Sequence, residues 1–551
     1  VPPYNDIPVP GDYDGDGRTD FAVWRPGEGR WFVIRSSDGG SVSRQWGAGV
    51  PPYNDIPVPG DYDGDGRTDF AVRRPAEDRW YVIQSSDGGV LTFQWGESED
   101  IPLNGSRTIA SSTSDGFLEK AGAQTYRGRF TRDQIQSFLP PNGATGPFKF
   151  PAPYGTTAVR LTNANDCGGT DCVAYVGYSY WRNTNNHVGQ PEMLIFLGLD
   201  RSAGGPGPSL FSYNKATDQV QNVGPLFPST STYSYATGEG WYFSGSQATK
   251  LYTYLVGGSV LRRYDVRSHQ FDQTAAMDLG NCERPNVCPS NAAYIFQPHS
   301  SDDDSTHSAT VQDASFSSLG CVVYKSKTFQ FFASPVGFAL DECQVDKSGN
   351  WLILLEADPN GSVKNRIVDL LQGTITTIDD LNGSLGHLDM GFGYAVGADN
   401  FNPDPNATIL LKFPVTTTRR PVGPVIHYNK RWDIVAANHI AHGNTIAGVP
   451  PESQFACGSN ASRVPDMADE IVCFSLDPHR NADGSLDVLV VGQVMTDLDA
   501  AGGRDVNGDD YTQLPKGNLD VTGRYFIWTS NMGGNRLDAF VVKVPYQWLS
   551  P

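Results

Sequence analysis

The chain has 551 residues and a formal net charge of −20, from 41 Lys and Arg against 61 Asp and Glu. Such an acidic chain repels the phosphates of nucleic acids and of anionic membrane surfaces, so we expect no nucleic acid partner. The 60 Gly, 38 Pro and 11% aromatic residues favour short strands and turns, and therefore an all-β fold.

Residues 1–49 and 50–100 contain two copies of one repeat. The run "VPPYNDIPVPGDYDGDGRTDFAV" starts at Val1 and again, unchanged, at Val50, so the period is 49 residues. Each copy contains four strand-like runs, "IPVP", "DFAV", "RWFVI" or "RWYVI", and a run ending in "QWG", with a "SSDGG" turn before the last. A period of about 40–50 residues with four short strands is typical of one propeller blade.

An acidic loop links the first two strand-like runs of each repeat and has the ligand spacing of a calcium site. Alternate carboxylates of a tightly curled loop can point at one cation, and calcium prefers six to eight oxygen ligands. The alternative is a pair of solvated acidic turns. The predicted ligands are the carboxylates of Asp12, Asp14, Asp16 and Asp20 with the carbonyl of Arg18, and in the second copy those of Asp61, Asp63, Asp65 and Asp69 with the carbonyl of Arg67.

The pattern D-x-D-x-D-G-x-x-D opening a four-stranded unit resembles the FG-GAP repeats of integrin α-subunit propellers and their bacterial VCBS-type relatives. An EF-hand is excluded, because Val23 and Val72 stand where that loop needs Glu. The resemblance covers residues 1–100 and implies calcium-binding blades in which the metal is structural.

After the repeats, residues 101–150 are predicted to be a connector, since "DIPL" at Asp100–Leu103 starts a third unit that lacks the acidic loop. One helix is predicted in it, over Thr131–Leu139, with Thr131 as its N-cap and Pro140 ending it.

Residues 151–551 contain recurring strand pairs joined by Gly or Asp turns. Two of them, "VDKSGNWLILL" and "LDVTGRYFIWTSN", resemble the blade signature of TolB-like propellers. We predict a β-propeller of seven blades, with six to eight possible, whose last blade takes a strand from near Phe148–Leu161.

Eight cysteines lie in close sequence pairs and are predicted to form disulfides. Zinc is disfavoured, because no C-x-x-C pair exists. Disulfides place the protein outside the cytosol, secreted or at the cell surface, and no apolar run approaches the roughly 18 residues of a membrane span. The pairs are Cys167 with Cys172, Cys282 with Cys288, Cys321 with Cys343, and Cys457 with Cys473.

Several polar residues open successive blade-like runs and would converge on a propeller channel. There they would bind a transition metal or act as acid and base, or else hydrogen-bond neighbouring blades. The aromatic run at 177–187 would stack on sugar rings or, alternatively, pack between blades. The candidates are Glu342, His387, His439 and His442, with Asn518, His299 and His307 beside them.

The sequence therefore supports two functional hypotheses. The first is a calcium-binding extracellular protein for adhesion, surface display or fibre assembly, which binds a protein or glycan and self-associates through residues 1–100 because two blades leave strand edges open. The second is a polysaccharide lyase or hydrolase with His387, His439 and His442 at the channel mouth. The start at Val1, a repeat boundary without Met, leads us to expect further repeats upstream.

Overall fold

The structure is a computed structural model, in which the chain divides into two compact units, Val1–Thr113 and Ser114–Pro551. The described residues are 6–63, 65–94, 115–119, 127–175, 177–178, 180–379, 385–386, 388–398, 408–415, 439–441, 448–461, 469–476, 488–500, 513–533 and 536–549.

Each repeat of the first unit forms one four-stranded antiparallel sheet. The four strand-like runs of the sequence become the four strands, joined by the acidic loop and the "SSDGG" turn. The first sheet contains β1 (Ile7–Pro8), β2 (Phe21–Arg25), β3 (Arg30–Ile34) and β4 (Ser41–Gln45), and the second contains β5 (Ile56–Pro57), β6 (Phe70–Arg74), β7 (Arg79–Ile83) and β8 (Val90–Gln94).

The two sheets pack face to face. Phe70 of the second repeat stacks on Tyr13 of the first with ring centroids 5.0 Å apart, and Trp31 meets Phe70 edge-on at 5.5 Å. The indole N–H of Trp46 donates to the carbonyl of Tyr81 at 3.0 Å. Aromatic pairs of this geometry add to the stabilisation from buried area, and residues of both repeats share one of the hydrophobic clusters of the first unit.

The second unit is almost entirely β. Its strands in chain order are β9 (Phe117–Glu119), β10 (Gly146–Lys149), β11 (Thr157–Arg160), β12 (Val173–Tyr175), β13 (Glu192–Leu199), β14 (Gly207–Asn214), β15 (Gln219–Pro225), β16 (Tyr242–Phe243), β17 (Lys250–Thr253), β18 (Val260–Asp265), β19 (Gln270–Phe271), β20 (Met277–Asp278), β21 (Tyr294–Ser300), β22 (Thr306–Gln312), β23 (Ser318–Lys325), β24 (Thr328–Ala333), β25 (Ala339–Val345), β26 (Trp351–Ala357), β27 (Val363–Asp369), β28 (Ile375–Asp379), β29 (Leu388–Met390), β30 (Tyr394–Ala398), β31 (Thr408–Lys412), β32 (His439–Ala441), β33 (Phe455–Ser459), β34 (Glu470–Ser475), β35 (Val488–Gln493), β36 (Asn518–Leu519), β37 (Tyr525–Ser530) and β38 (Asp538–Lys543).

Helical segments in the described residues are short. The α-helix α1 spans Arg132–Phe138. The 3-10 turns are Pro75–Glu77, Pro141–Gly143, Ala164–Cys167, Arg201–Ala203, Thr232–Tyr235, Leu279–Asn281, Pro451–Ser453 and Tyr546–Trp548.

The strands of the second unit form seven sheets within the described residues. Five are meanders of consecutive strands: β12–β15, β16–β19 with β20 beside β18, β21–β24, β25–β28 and β29–β31. The other two, β32–β35 and β36–β38, are completed by strands from the start of the unit, β9 on β35 and β11 with β10 on β38. Closing a ring in this way removes open edges and is characteristic of a β-propeller.

The predicted closing strand near Phe148–Leu161 is confirmed, because Ala158 and Arg160 of β11 pair with Val542 and Phe540 of β38. The all-β propeller fold is as predicted. The number of seven blades stays a prediction, because several stretches between the sheets lie outside the described residues.

The segment predicted as a connector, 101–150, belongs in its described part to the second unit. It supplies β9 and β10, and α1 packs Ile135 into the core of the second unit beside Phe148. The helix prediction is confirmed by a capping box. The Thr131 side chain accepts a hydrogen bond from the backbone N–H of Gln134, and the Gln134 side chain accepts one from the backbone N–H of Thr131.

The eight cysteines form the four predicted disulfides. Cys167–Cys172 and Cys282–Cys288 close short loops. Cys457–Cys473 joins paired positions of β33 and β34, whereas Cys321–Cys343 joins β23 to β25 in the next sheet.

A buried ion pair joins β11 to β38 where the ring closes. Arg160 bonds to Asp538, which is fully buried and also accepts from Arg536 and from Thr162 Oγ1, the latter at 2.8 Å. Asp538 thus has three partners, whereas Asp538 is the counter-charge of Arg160.

We expect Asp538→Leu to destabilise the chain by about 3 kcal/mol or more, because it leaves two buried or half-buried arginines without a counter-charge. Arg160→Met is expected to cost less, since Arg536 and Thr162 still satisfy Asp538. Denaturant unfolding of the full chain measures both, and a negligible cost of Asp538→Leu would show that the pair does not hold the closing sheet.

Candidate functional site

The acidic loop of each repeat curls around its own carboxylates. Asp12 accepts the backbone N–H groups of Gly15 at 2.6 Å and Gly17 at 2.8 Å, and Asp61 accepts that of Gly66 at 2.9 Å. Gly15 and Gly17 have φ of 81° and 83°, the left-handed region that glycine reaches without a steric penalty. The glycines therefore permit the curl that brings the carboxylates together.

Three carboxylates converge in each loop. Oxygens of Asp12, Asp14 and Asp20 lie within 4.8 Å of one another in the first loop, and those of Asp61, Asp63 and Asp65 do so in the second. Two oxygens on one calcium ion, each about 2.3–2.6 Å from it, are at most about 5 Å apart, so both groups fit this ion.

The two converging sets share the first two predicted ligands, at loop positions one and three, and differ in their last member, which is Asp20 in the first loop and Asp65 in the second. Asp16 and Asp69 lie outside the converging sets. The backbone N–H of Arg18 bonds to Asp16, and that of Arg67 to Asp65, each at 2.8 Å. Coordination by the carbonyls of Arg18 and Arg67 stays a prediction.

The last aspartate of each loop has a second role that the spacing alone does not indicate. Asp20 is buried and accepts the backbone N–H groups of Tyr13 at 2.8 Å and Ser36 at 2.7 Å. Asp69 accepts those of Tyr62 and Ser85, both at 2.7 Å. Through these hydrogen bonds each aspartate connects its loop to the "SSDGG" turn between the third and fourth strands.

The serines of that turn complete the site and were missed by the sequence reasoning. Ser36 Oγ donates to Asp16 at 2.8 Å, and Ser37 Oγ to Asp14 at 2.5 Å. Ser85 and Ser86 make the same bonds to Asp65 and Asp63, at 2.8 and 2.6 Å. The identical recurrence of "SS" about 20 residues after each loop was the available signal.

Hydrogen bonds and burial shift the pKa values of the loop carboxylates. The Ser37 hydroxyl lowers the pKa of Asp14. Burial would raise the pKa of Asp63, but the Ser86 hydrogen bonds outweigh it and lower that pKa. Burial raises the pKa of Asp69. Ionised Asp14 and Asp63 offer the hard oxygen donors that calcium requires.

In the second unit, two of the predicted channel residues meet at Tyr180. The Tyr180 hydroxyl hydrogen-bonds to Glu342 on β25, and its ring lies 5.2 Å from that of His299 on β21. Trp181 stacks on His299 at 5.5 Å, and Gln344 donates to Glu342 at 2.8 Å. Tyr180 and Trp181 of the 177–187 run thus pack against residues of β21 and β25.

Burial controls both ionisable groups of this cluster. It raises the pKa of Glu342 to about 8, helped by the nearby charge of Asp341, and lowers the pKa of His299 to about 3. Glu342 is therefore neutral in the folded protein near pH 7, and His299 is neutral as well.

The remaining candidates lie elsewhere. His307 bonds to Ser300 Oγ at 2.7 Å, and burial lowers its pKa to about 4. Asn518 donates to the carbonyl of Tyr178 at 2.6 Å. His387 and His442 lie outside the described residues, and His439 is described only as backbone of β32, so the predicted meeting of these histidines is untested.

We expect Glu342→Gln to remove a pH dependence of stability. The folded Glu342 keeps its proton up to pH about 8, whereas the unfolded side chain loses it near pH 4.5. The stabilisation that folding gains from the protonated Glu342 is therefore full below pH 4.5. As the pH rises to about 8, the free energy of unfolding falls by about 1.4 kcal/mol per pH unit.

Denaturant unfolding of the full chain between pH 5 and 8 tests this, with the exposed Glu283→Gln as control. The control is expected to keep the wild-type slope. If Glu342→Gln keeps it too, Glu342 is ionised in the fold.

The FG-GAP-like repeat family matches residues 12–111. No curated protein matches the sequence. In the described part of the chain, no helix has the length and apolar character to cross a bilayer.

Among solved structures, similarity extends to an oligogalacturonate lyase in complex with manganese, 11% identical over 77% of this chain and 99% of that chain, with a TM-score of 0.47. An oligogalacturonate lyase from Vibrio parahaemolyticus is 10% identical over 74% and 98%, with a TM-score of 0.46. TolB from Acinetobacter baumannii is 10% identical over 65% and 81%, with a TM-score of 0.32. Residues 12–111 match the FG-GAP-like repeat family, in agreement with the resemblance of residues 1–100 in the sequence, and the second unit has the β-propeller fold described above.

Proposed function

We propose that this chain is a secreted or cell-surface protein whose first unit binds calcium and which acts by binding a protein or glycan, in adhesion, surface display or fibre assembly. The observation that carries the proposal is the convergence of three carboxylates in each acidic loop, in two copies of the same sequence. Both copies bring the carboxylates of loop positions one and three together, Asp12 with Asp14 and Asp61 with Asp63.

The four disulfides support an extracellular location, because disulfides persist in oxidising compartments and are rare in the cytosol. Calcium sites of extracellular modules bind with Kd of about 10⁻⁴ to 10⁻³ M. Loops with exposed ligands such as Asp65 suit that range.

In this proposal calcium is structural. Asp12 and Asp14 belong to the loop between β1 and β2, and Asp14 also holds Ser37 of the β3–β4 turn. A cation at these carboxylates would cancel their mutual repulsion and fix both connections at one end of the sheet. The blade would then present a rigid surface to a partner.

Self-association is part of the proposal. The strands β4 and β8 lie at the edges of their sheets, and most of their residues are exposed. Exposed strand edges and sheet faces are the surfaces through which β proteins bind other chains.

Removal of calcium is expected to lower the melting temperature and protease resistance of the first unit selectively. A ligand at about a hundred times its Kd stabilises the folded form by about 2.7 kcal/mol per site. The double variant Asp14→Ala, Asp63→Ala is expected to reproduce the effect without a chelator.

The matched control is Asp38→Ala with Asp87→Ala, which changes the same charge in the neighbouring "SSDGG" turns without touching the converging sets. It should keep the calcium response. Identical melting of the wild-type chain with and without calcium would refute calcium binding.

A second candidate function is polysaccharide cleavage as a lyase or hydrolase, favoured by the cluster of Tyr180, His299 and Glu342. A glutamic acid with a pKa of about 8 is a proton donor near neutral pH. Its low exposure, 4% for Glu342 and 5% for His299, is why binding remains the first candidate.

A panel of acidic and neutral polysaccharides, incubated with the wild-type chain, tests this second function. Activity that Glu342→Gln abolishes would place the reaction at the cluster. Activity that only the double variant His387→Ala, His439→Ala abolishes would place it at the predicted histidines. A wild-type chain inactive on every substrate removes the enzymatic hypothesis.

A further inference from the structure

A cleft of about 480 Å³ lies beside the buried ion pair between β11 and β38 in the second unit. We define the closure cleft by its walls, which are residues 142–145 before β10, residues 163–165 after β11, Gly533, Arg160 and Arg536. The residues of the two loop walls are exposed or half-buried, so the cleft is open to solvent. Its volume falls within the range of small-ligand sites, about 300–1,000 Å³.

The closure cleft is positively charged, in a chain whose net charge is −20. Its charged wall residues are Arg160 and Arg536, and no wall residue is acidic. Both guanidinium groups bond to one carboxylate, that of Asp538. Two cations with a single shared counter-charge leave one positive charge in excess. An anionic group in the cleft would balance it, and arginine is the side chain best shaped to pair with carboxylates and sulfates.

Two other carboxylates follow the 163–165 wall in the sequence and are engaged by other donors. Asp166 accepts the backbone N–H of Asn163 at 2.8 Å and the side-chain amide of Asn222 at 2.7 Å. Asp171 accepts the backbone N–H of Leu537 at 3.0 Å. Neither aspartate lines the closure cleft, so neither takes the place of an anionic ligand.

The guanidinium of Arg160 has donors left for a ligand. The residue is only 3% exposed, and its hydrogen bond within the described residues runs from Nη2 to Asp538. Nη1 lies 3.7 Å from the point that a Cβ at Gly143 would occupy, and a Cβ at Gly533 would lie equally far from Cζ. The two glycines therefore leave the guanidinium uncovered on the side of the cleft. Buried charged donors without partners are costly, so a ligand that pairs them gains binding free energy.

The other walls of the closure cleft favour a sugar over a peptide. Asn142, Thr145, Asn163 and Asn165 contribute amide and hydroxyl groups, which both donate and accept hydrogen bonds. No aromatic or large aliphatic side chain lines the cleft, so it offers no apolar pocket for the neighbouring side chains of a peptide. The many hydroxyl groups of a sugar match the amide-rich walls.

We propose that the closure cleft binds an acidic sugar unit of a glycan, with its carboxylate or sulfate group on Arg160 and Arg536. The asparagine and threonine side chains bind the sugar hydroxyls. This inference rests on the proposed function, because it narrows the protein or glycan partner to an acidic glycan and names the surface that binds it.

Isothermal titration calorimetry of the full chain with four small probes tests the proposal. The probes are glucuronate, a glucose sulfate, glucose and N-acetylaspartate amide. Saturable binding of an acidic sugar is expected, with Kd on the order of 0.1–1 mM. Glucose is expected to bind at least tenfold more weakly, because it leaves the arginines unpaired. The stronger of the two acidic sugars identifies the acidic group.

Three variants locate the binding in the closure cleft. Arg536→Gln and Arg160→Met are each expected to weaken binding of the acidic sugar at least tenfold. Ala164→Glu, at an exposed wall residue, is expected to do the same without lowering the melting temperature, because it adds a competing carboxylate to the cleft. The matched control is Arg267→Gln, which removes the same charge at a side chain 42% exposed outside the cleft, and it should leave binding unchanged.

Four outcomes would overturn the proposal. They are no saturable binding of either acidic sugar, N-acetylaspartate amide binding as tightly as the sugars, Ala164→Glu leaving binding unchanged, and Arg267→Gln weakening it as much as Arg536→Gln does. The second of these would indicate an acidic peptide as the ligand. The calcium response is read separately, because Asp14 and Asp63 belong to the first unit. Failure of the cleft thus leaves the calcium proposal standing, and the reverse also holds.

Discussion

A four-stranded antiparallel sheet has two faces, and an apolar face gains stability only when another layer covers it. This constraint organises both units. In the second unit each meander supplies a face for the next, and β9 and β11 return to the sheets at the end of the chain. In the first unit, Tyr13 and Trp31 cover Phe70 while nothing described covers Phe21.

Within each repeat, hydrogen bonds stabilise the acidic loop. Four carboxylates in nine residues repel one another, and N–H and hydroxyl donors from the loop and from the "SSDGG" turn offset this repulsion. Asp20 accepts two backbone N–H groups and Asp14 accepts the Ser37 hydroxyl. The protein thus organises the oxygens itself, and a cation would add to a framework already defined by hydrogen bonds.

The parts of this structure that were predictable from the sequence are local or repeated. The strands of both repeats follow directly from runs that occur twice, α1 follows from a cap at Thr131 and a stop at Pro140, and the disulfides join near neighbours in the sequence. Contacts across long separations were not predictable. Tyr180 meets Glu342 across about 160 residues, a distance that no spacing rule spans, and Ser36 meets Asp16 only because the sheet folds back on itself. The expected connector contained two strands, β9 and β10, that are recognisable only by their partners, β35 and β11.

The disulfide between Cys321 and Cys343 has a mechanical consequence. It joins strands of two neighbouring sheets, so a pulling force along the chain passes through the sulfur atoms and bypasses the 22-residue span between them. Fully extended, that span would release about 75 Å of length, which the cross-link withholds. A chain anchored at a surface and pulled by a bound partner would therefore extend through strands outside this span, while β24, which lies inside it, carries no load.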